Sequence, residues 1–256
     1  MKVYKTKNLY QKAFTLAEVL ITIGAIGIIA AMTLPTLIDN SRKKQYITSF
    51  KKDLSTLNQA VQLAESNYDY NFATIGSNCI KPSTEKAPET LSICGMFNSL
   101  LKASSILGYT ELKTKYDVLY YNELFKNNPA KDSVLKNQGI ELYYVRMIDG
   151  SLFAFHAPRV NSKDDIRCTL KGKTLEEALN NKTFQKYCVG FIDVNGITPP
   201  NKEVRCNDNK VHTTDINASC SVDKDSEYLY DIFPVAYFDS NVVPASAAAR
   251  AVLLLE

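Results

Sequence analysis

The chain has 256 residues, of which 45% are hydrophobic and 22% are charged. This composition is typical of one large or two small globular domains and excludes a disordered or fibrous protein. Four of the 30 basic side chains are lysines in the first 13 residues, whereas the other 26 face 27 acidic ones. Because the body is nearly neutral, no specific nucleic-acid partner is predicted. With two histidines and no readable catalytic motif, the chain is not expected to be an enzyme.

An apolar segment follows the basic leader. Residues 14–38 contain one charged side chain, Glu18, and a helix of this length spans about 37 Å, enough to cross a bilayer core of about 30 Å. A secretory signal peptide ends its apolar core at a small-x-small cleavage site. Here the apolar residues continue past Ala30 and Ala31 to Ile38. The segment is therefore predicted to be retained as a membrane anchor.

Glu18 is the anomaly in this segment. A carboxylate within a membrane helix costs roughly 2.5–3.5 kcal/mol, so a partner is expected. One interpretation is a glutamate near the interface that reaches the headgroups or becomes protonated. The other is a cation from a second chain. Cleavage before Phe14 would create an α-amine about one helical turn from Glu18, and one subunit's amine would then neutralise the next subunit's carboxylate.

The leader and the start of the apolar segment resemble the class III signal of type IV prepilins and pseudopilins. The resemblance lies in residues 12–20, which read KAFTLAEVL, and in Pro35, at the family's helix-kinking position. It implies that a prepilin peptidase cleaves between Ala13 and Phe14 on the cytoplasmic side and methylates the amine of Phe14. Most members have glycine where this chain has Ala13. The family's assembly glutamate corresponds to Glu18.

The resemblance also implies a function and a location. The chain is expected to be a structural subunit of a type IV pilus or a type II secretion-type pseudopilus. It would cross the bacterial inner (cytoplasmic) membrane once, with its head exported, before it enters the filament. Its expected partners are homologous subunits, prepilin peptidase, the inner-membrane assembly platform and membrane lipid. The alternative from another class is a membrane-anchored exported enzyme or binding protein whose signal-anchor helix is not cleaved.

Hydrophobic periodicity predicts that the helix continues beyond the membrane, over residues 39–65. Its apolar positions recur every three or four residues, which places them on one face. They are Ile47, Phe50, Leu54, Leu57, Val61 and Ala64. The polar positions between them, Asp53 and Asn58 included, are predicted to face solvent. The apolar face is expected to pack on the chain's own head, residues 66–256, rather than on a coiled-coil partner.

The head is predicted to be α+β, so that the whole chain is a long helix packed on an antiparallel β-sheet, as in type IV pilins. Four segments predict strands: 140–148, 151–156, 188–194 and 231–238. Asp149-Gly150 between the first two is a strong two-residue hairpin signal. Two segments predict helices, 89–107 and 174–186, whereas 66–88 predicts a loop and 113–126 is ambiguous.

Six cysteines favour an exported head with disulfides. They are Cys79, Cys94, Cys168, Cys188, Cys206 and Cys220. Six cysteines allow 15 pairings, and the sequence does not select one. Pairing each cysteine with the next would close short loops, each contributing roughly 3 kcal/mol. A zinc site is the competing interpretation, although no CxxC spacing occurs and the histidines are isolated. Buried free thiols are expected instead if the compartment is reducing.

One loop is a candidate calcium site. Its oxygen-bearing residues are Asp193, Asn195, Asn201 and Asp231, and the loop is similar to the aspartate-rich calcium loop of major pseudopilins. Calcium needs six to eight oxygen ligands. The alternative, which the sequence favours, is an ordinary Asn-Gly turn in which Asp193 accepts backbone hydrogen bonds. Apart from calcium, no cofactor is predicted.

Overall fold

The computed structural model describes residues 14–81, 83–101, 103–107, 132–137, 142–156, 166–222 and 229–255. The chain divides into two compact units, Met1–Ser41 and Arg42–Glu256. One helix, α1 (Leu16–Tyr68), contributes to both units and contains Pro35. The predicted boundaries after residues 38 and 65 therefore both fall within a single helix.

Within the described residues, the second unit holds a six-stranded antiparallel sheet in which every strand pairs with the next one along the chain. The strands are β1 (Ala103–Leu107), β2 (Leu142–Met147), β3 (Leu152–His156), β4 (Val189–Asp193), β5 (Ile232–Phe238) and β6 (Asn241–Pro244). Together with α1, this sheet confirms the predicted α+β class and is consistent with a pilin-like arrangement. The sheet has two strands more than the four that were expected.

The predicted hairpin at Asp149-Gly150 is confirmed. Strands β2 and β3 pair across it, with Leu142 opposite His156 and Arg146 opposite Leu152. Gly150 has φ +96°, a left-handed conformation that glycine adopts without steric cost. The turn therefore needs the glycine that the sequence supplies.

The described residues also contain several short helices. They are α2 (Ile93–Leu100), α3 (Leu175–Leu179), α4 (Lys182–Cys188) and α5 (Ala247–Leu253), with a 3₁₀ turn at Val134–Asn137. Ser92, Thr174, Asn181 and Ser246 cap their N-termini through side-chain oxygens. Serine, threonine and asparagine are preferred at such positions because they satisfy otherwise unpaired N–H groups.

Several predicted elements differ from the structure. The helix predicted over 89–107 ends at Leu100, and its last part is strand β1, because the backbone at Leu101 becomes extended. The single helix predicted over 174–186 is two helices, separated at Asn180 and Asn181. Strand β6 and helix α5 were not predicted. The ambiguous segment 113–126 lies outside the described residues.

The predicted apolar face of α1 packs on the sheet. Phe50, Leu54, Leu57, Val61 and Ala64 are buried, and Ile47 is partly buried against the same core. The Phe50 ring stacks on that of Phe233 in β5, with centroids 4.2 Å apart. Several members of the predicted solvent face differ, among them Asp53, which is 3% exposed, and Asn58, which is half-buried. A smaller apolar cluster contains Tyr144, Ala154, Phe191 and Ile232.

Candidate functional sites

A capping box between Thr15 and Glu18 closes the N-terminal end of α1. The backbone N–H of Glu18 donates to Thr15 Oγ1 at 3.2 Å. In return, Glu18 Oε2 accepts the backbone N–H of Thr15 at 2.9 Å and its hydroxyl at 2.8 Å. Reciprocal bonds of this kind satisfy two N–H groups that the first turn of a helix leaves unpaired. Glu18 therefore has a structural role within its own chain.

The capping box uses one oxygen of the Glu18 carboxylate and leaves the other available to other groups. Both bonds from Thr15 end on Oε2, the residue is exposed, and within the described part of the chain Oε1 accepts no hydrogen bond. Phe14 immediately precedes the cap and is 84% exposed. Ala13, on the other side of the predicted cleavage point, lies outside the described residues. Cleavage and methylation stay predictions.

The first unit presents an apolar helical surface. Every residue from 14 to 38 is exposed except Ala30, which is half-buried. Leu16 is 80% exposed and Leu37 is 71% exposed. Soluble monomers rarely expose a contiguous apolar surface of this extent, which marks contact with lipid or with other protein. By length and composition, α1 is able to cross a membrane.

The polar residues of this apolar segment bond within the helix. The hydroxyls of Thr22, Thr33 and Thr36 donate to carbonyls three or four residues earlier, at 2.8–3.0 Å. Such bonds remove the cost of placing a hydroxyl in a medium that offers no partner. Pro35 has no N–H to donate to the preceding turn, so one carbonyl of the helix lacks its usual partner there.

The four candidate calcium ligands lie close to one end of the sheet. Asp193 is the last residue of β4, and Asp231 immediately precedes β5, whose Ile232 is opposite Asp193. Asn195 and Asn201 belong to the segment that follows β4. The structure therefore brings together residues that are up to 38 positions apart in the sequence.

The hydrogen bonds of these four residues are those of a turn. Asp231 accepts the backbone N–H of Asn201 at 2.9 Å and that of Lys202 at 2.7 Å, one at each oxygen. Asp193 accepts the N–H of Asn195 at 3.3 Å. Burial raises the pKa of Asp231 to about 7, although the two amides lower it. These bonds favour the turn interpretation, and calcium binding stays a prediction.

The six cysteines lie at disulfide-bond distance in three pairs: Cys79–Cys94, Cys168–Cys188 and Cys206–Cys220. This is the sequential pairing. Two groups of potential metal ligands occur in the described residues: Cys79 with Glu85 and Cys94, and Cys206 with Asp208 and His212. Each contains sulfur engaged in a disulfide, whereas zinc is bound by thiolate. The arrangement therefore favours disulfides over zinc.

Sequence reasoning missed a charged cluster beneath the β2–β3 hairpin. Asp53 of α1 is buried there, and burial raises its pKa to about 6. The negative charge of Asp149 raises this pKa further, whereas the Ser151 hydroxyl and the Lys52 ammonium lower it. The burial of Asp53 could have been predicted from the helical periodicity, because Asp53 lies three residues after Phe50 and four before Leu57. Both of these neighbours are buried.

Comparison with protein-family models, curated proteins and solved structures gives no match for this chain. Three features of the chain's own residues therefore indicate its function. They are an apolar helix surface with no buried residue from 14 to 38, a single carboxylate at its cap, and a head with paired cysteines.

Proposed function

We propose that the chain is a prepilin-like structural subunit. A prepilin peptidase removes residues 1–13, and the mature subunit assembles through residues 14–38 into a type IV pilus or a type II secretion-type pseudopilus. The observation that carries this proposal is the exposure of residues 14–38. A surface of this kind is suited to lipid before assembly and to neighbouring helices afterwards.

Glu18 supplies the polar element of the assembly. In the proposed filament, the methylated amine of Phe14 of one subunit pairs with Glu18 of its neighbour. The capping box supports this role because Thr15 occupies only Oε2 and leaves the other oxygen for a second donor. Burying a carboxylate is expensive unless it is paired, so the ion pair would favour one axial register between subunits.

The location follows from the same proposal. The lysine-rich leader stays in the cytoplasm, α1 crosses the inner membrane, and the head is exported. Three disulfides fit an oxidising compartment, because thiols in the bacterial cytoplasm are kept reduced. Membrane lipid, prepilin peptidase, the assembly platform and homologous subunits are the proposed partners.

The proposal is tested by intact-mass and N-terminal analysis of the protein extracted from membranes. In cells that possess a prepilin peptidase, the mature chain should begin at Phe14 with a methylated amine. The control is the same host without the peptidase, in which residues 1–13 should remain. Retention of Met1 in both hosts would contradict the proposal and favour the alternative, an exported enzyme or binding protein on an uncleaved anchor.

A further inference from the structure

Among the described residues, the carboxylate of Asp53 has no hydrogen-bond partner. Its side chain is 3% exposed, and neither Oδ1 nor Oδ2 accepts a well-formed hydrogen bond from any residue that the structure describes. The Ser151 hydroxyl lies near enough to lower the pKa of Asp53 but donates its hydrogen bond to Asp149. An ionised carboxylate in this condition is strongly unfavourable unless a cation or a proton compensates it. The groups around Asp53 indicate whether a cation or a proton is suited to compensate its charge.

Two polar groups beside Asp53, those of Ser151 and Lys52, bond to a second carboxylate, that of Asp149 in the hairpin turn. Ser151 donates both its backbone N–H, at 3.1 Å, and its hydroxyl, at 2.8 Å, to Asp149 Oδ1. The Lys52 ammonium lies 2.5 Å from Asp149 Oδ2. Two carboxylates therefore share one ammonium group, and the buried carboxylate has no direct contact with it.

We propose that Asp53 and Asp149 form a binding site for a divalent cation of the calcium type, which binds between the two carboxylates and displaces the Lys52 ammonium from Asp149. The two carboxylates offer four oxygens, and the Ser151 hydroxyl offers a fifth. Water would complete the six to eight oxygens that calcium requires. The ion supplies two positive charges to a pair of carboxylates that otherwise share one.

Lys52 is a weak competitor for this position. Its side chain is 61% exposed, and surface ion pairs contribute only about 0–1 kcal/mol because water screens them. The lysine is able to move into solvent when an ion enters. Asp149 is 36% exposed, so the ion can enter from the hairpin side and reach Asp53 behind it.

This site is different from the loop predicted to bind calcium. Both oxygens of Asp231 accept backbone N–H groups, which would have to be given up to an ion. Neither oxygen of Asp53 has such a commitment. The side-chain oxygen of Asn195 in that loop is also buried without a hydrogen-bond partner among the described residues, but it belongs to a neutral amide, whereas Asp53 offers a carboxylate. The cation is therefore proposed at the helix–hairpin junction rather than at the end of β4.

The test is a calcium titration of the full chain in detergent, followed by calorimetry and by the melting temperature of the head. We expect binding near the weak end of the protein range, with a dissociation constant of about 10⁻⁴–10⁻³ M, and a higher melting temperature because the ion binds the folded state. Asp53→Asn and Asp149→Asn should each weaken binding at least about tenfold. Lys52→Met should strengthen it several-fold, because it removes the competing ammonium.

Asp193→Asn is the matched control, since it removes a carboxylate from the other candidate loop and should leave the affinity unchanged. Loss of binding in Asp193→Asn with retention in Asp53→Asn would overturn the proposal. Absence of any calcium effect on the wild type above pH 7 would also overturn it. In that case Asp53 is compensated by a proton alone.

Discussion

The side chain of Asn58 on α1 hydrogen bonds to the backbone of Val242 on β6 in both directions. Asn58 Nδ2 donates to the carbonyl of Val242 at 2.7 Å, and the N–H of Val242 donates to Asn58 Oδ1 at 2.9 Å. Strand β6 is the last in the sheet order, so it pairs with a strand on one side only. The amide of Asn58 occupies the backbone groups that a further strand would otherwise use, which protects this edge from pairing with another chain.

Asn58→Ala should therefore destabilise the head by about 1–3 kcal/mol, because it leaves a backbone N–H and a carbonyl without their partner. The measurement is urea-induced unfolding of the solubilised chain. Gln59→Ala is the control, since the Gln59 side chain is exposed and, within the described part of the chain, bonds to Ser55 alone. Its effect should stay within about 0.5 kcal/mol. Equal effects of the two substitutions would contradict the role assigned to Asn58.

Asp53 should make the head less stable as the pH rises. Its pKa is raised from 3.8 to about 6 in the folded state, mainly by burial. Below about pH 4 the Asp53 carboxyl is protonated in both the folded and the unfolded state. As the pH rises through 6, the free energy of unfolding falls by up to about 3 kcal/mol from its value at low pH. With a chelator present, Asp53→Asn should remove the share of this dependence that Asp53 contributes, leave the share that comes from the raised pKa of Asp231, and be more stable than the wild type at about pH 8.

The control for this pH series is Asp215→Asn, which changes an exposed aspartate and should leave the slope of stability against pH as it is in the wild type. Chemical denaturation at several pH values is the measurement. A wild-type stability that rises between about pH 5 and pH 8, or an Asp53→Asn variant with the wild-type slope, would show that burial of Asp53 does not govern this dependence.

The three cysteine pairs predict no free thiol in the folded protein. Denatured without reduction, the chain should not react with a thiol reagent, because all six sulfurs are paired. Reduction should lower the melting temperature, since each bridge closes a loop of about 15–20 residues and contributes roughly 3 kcal/mol. Labelling of six cysteines would contradict the pairing, and labelling of two would show that one bridge is absent.

Two substitutions distinguish the capping role of Glu18 from its proposed role in assembly. Glu18→Gln keeps an oxygen that accepts the bonds from Thr15 but removes the charge, whereas Thr15→Ala weakens the cap by about 1 kcal/mol and keeps the charge. If the proposed ion pair drives assembly, Glu18→Gln should be cleaved and inserted normally but be depleted from sheared filaments. Thr15→Ala should be incorporated. Normal incorporation of Glu18→Gln would refute the pairing with Phe14.

Gly190 in β4 should tolerate no side chain. A Cβ at this position would lie 2.0 Å from the carbonyl oxygen of Ala154 in the neighbouring strand, so Gly190→Ala must displace the β3–β4 pairing. We expect a loss of more than about 3 kcal/mol, in the upper range for point substitutions. Gly76→Ala is the control, because its Cβ would make only ordinary contacts, at 3.6 Å from Leu91. Thermal unfolding distinguishes the two.

The elements that the sequence predicted well are those whose determinants are local. The hairpin was identifiable because Asp149-Gly150 lies between two β-rich segments, and the face of α1 was identifiable because its apolar spacing is regular. The segment 89–107 was misread because its apolar residues fit a helix throughout. Whether Ala103–Leu107 is helix or strand depends on its pairing with β2, about 40 residues later.

The remaining differences depend on contacts between distant residues. Strand β6 has four residues and contains Pro244, and proline argues against a strand except at an edge. The bonds from Asn201 and Lys202 to Asp231 span about 30 positions, so the sequence did not show that this carboxylate is already occupied. Asp53 was predicted to face solvent because it is polar, although its helical position places it between buried neighbours.

The stacking of Phe50 on Phe233 has a consequence for the order of events during synthesis. The two rings are 183 positions apart, so the apolar face of α1 has no β5 to pack on until almost the whole head has been made. At roughly 5–20 residues per second, synthesis alone delays that contact by about 10–40 s. During this time the nascent chain exposes an amphipathic helix that is able to aggregate or to bind other surfaces. Retention of the preceding apolar segment in a membrane would hold each chain apart from its neighbours until its last strands arrive.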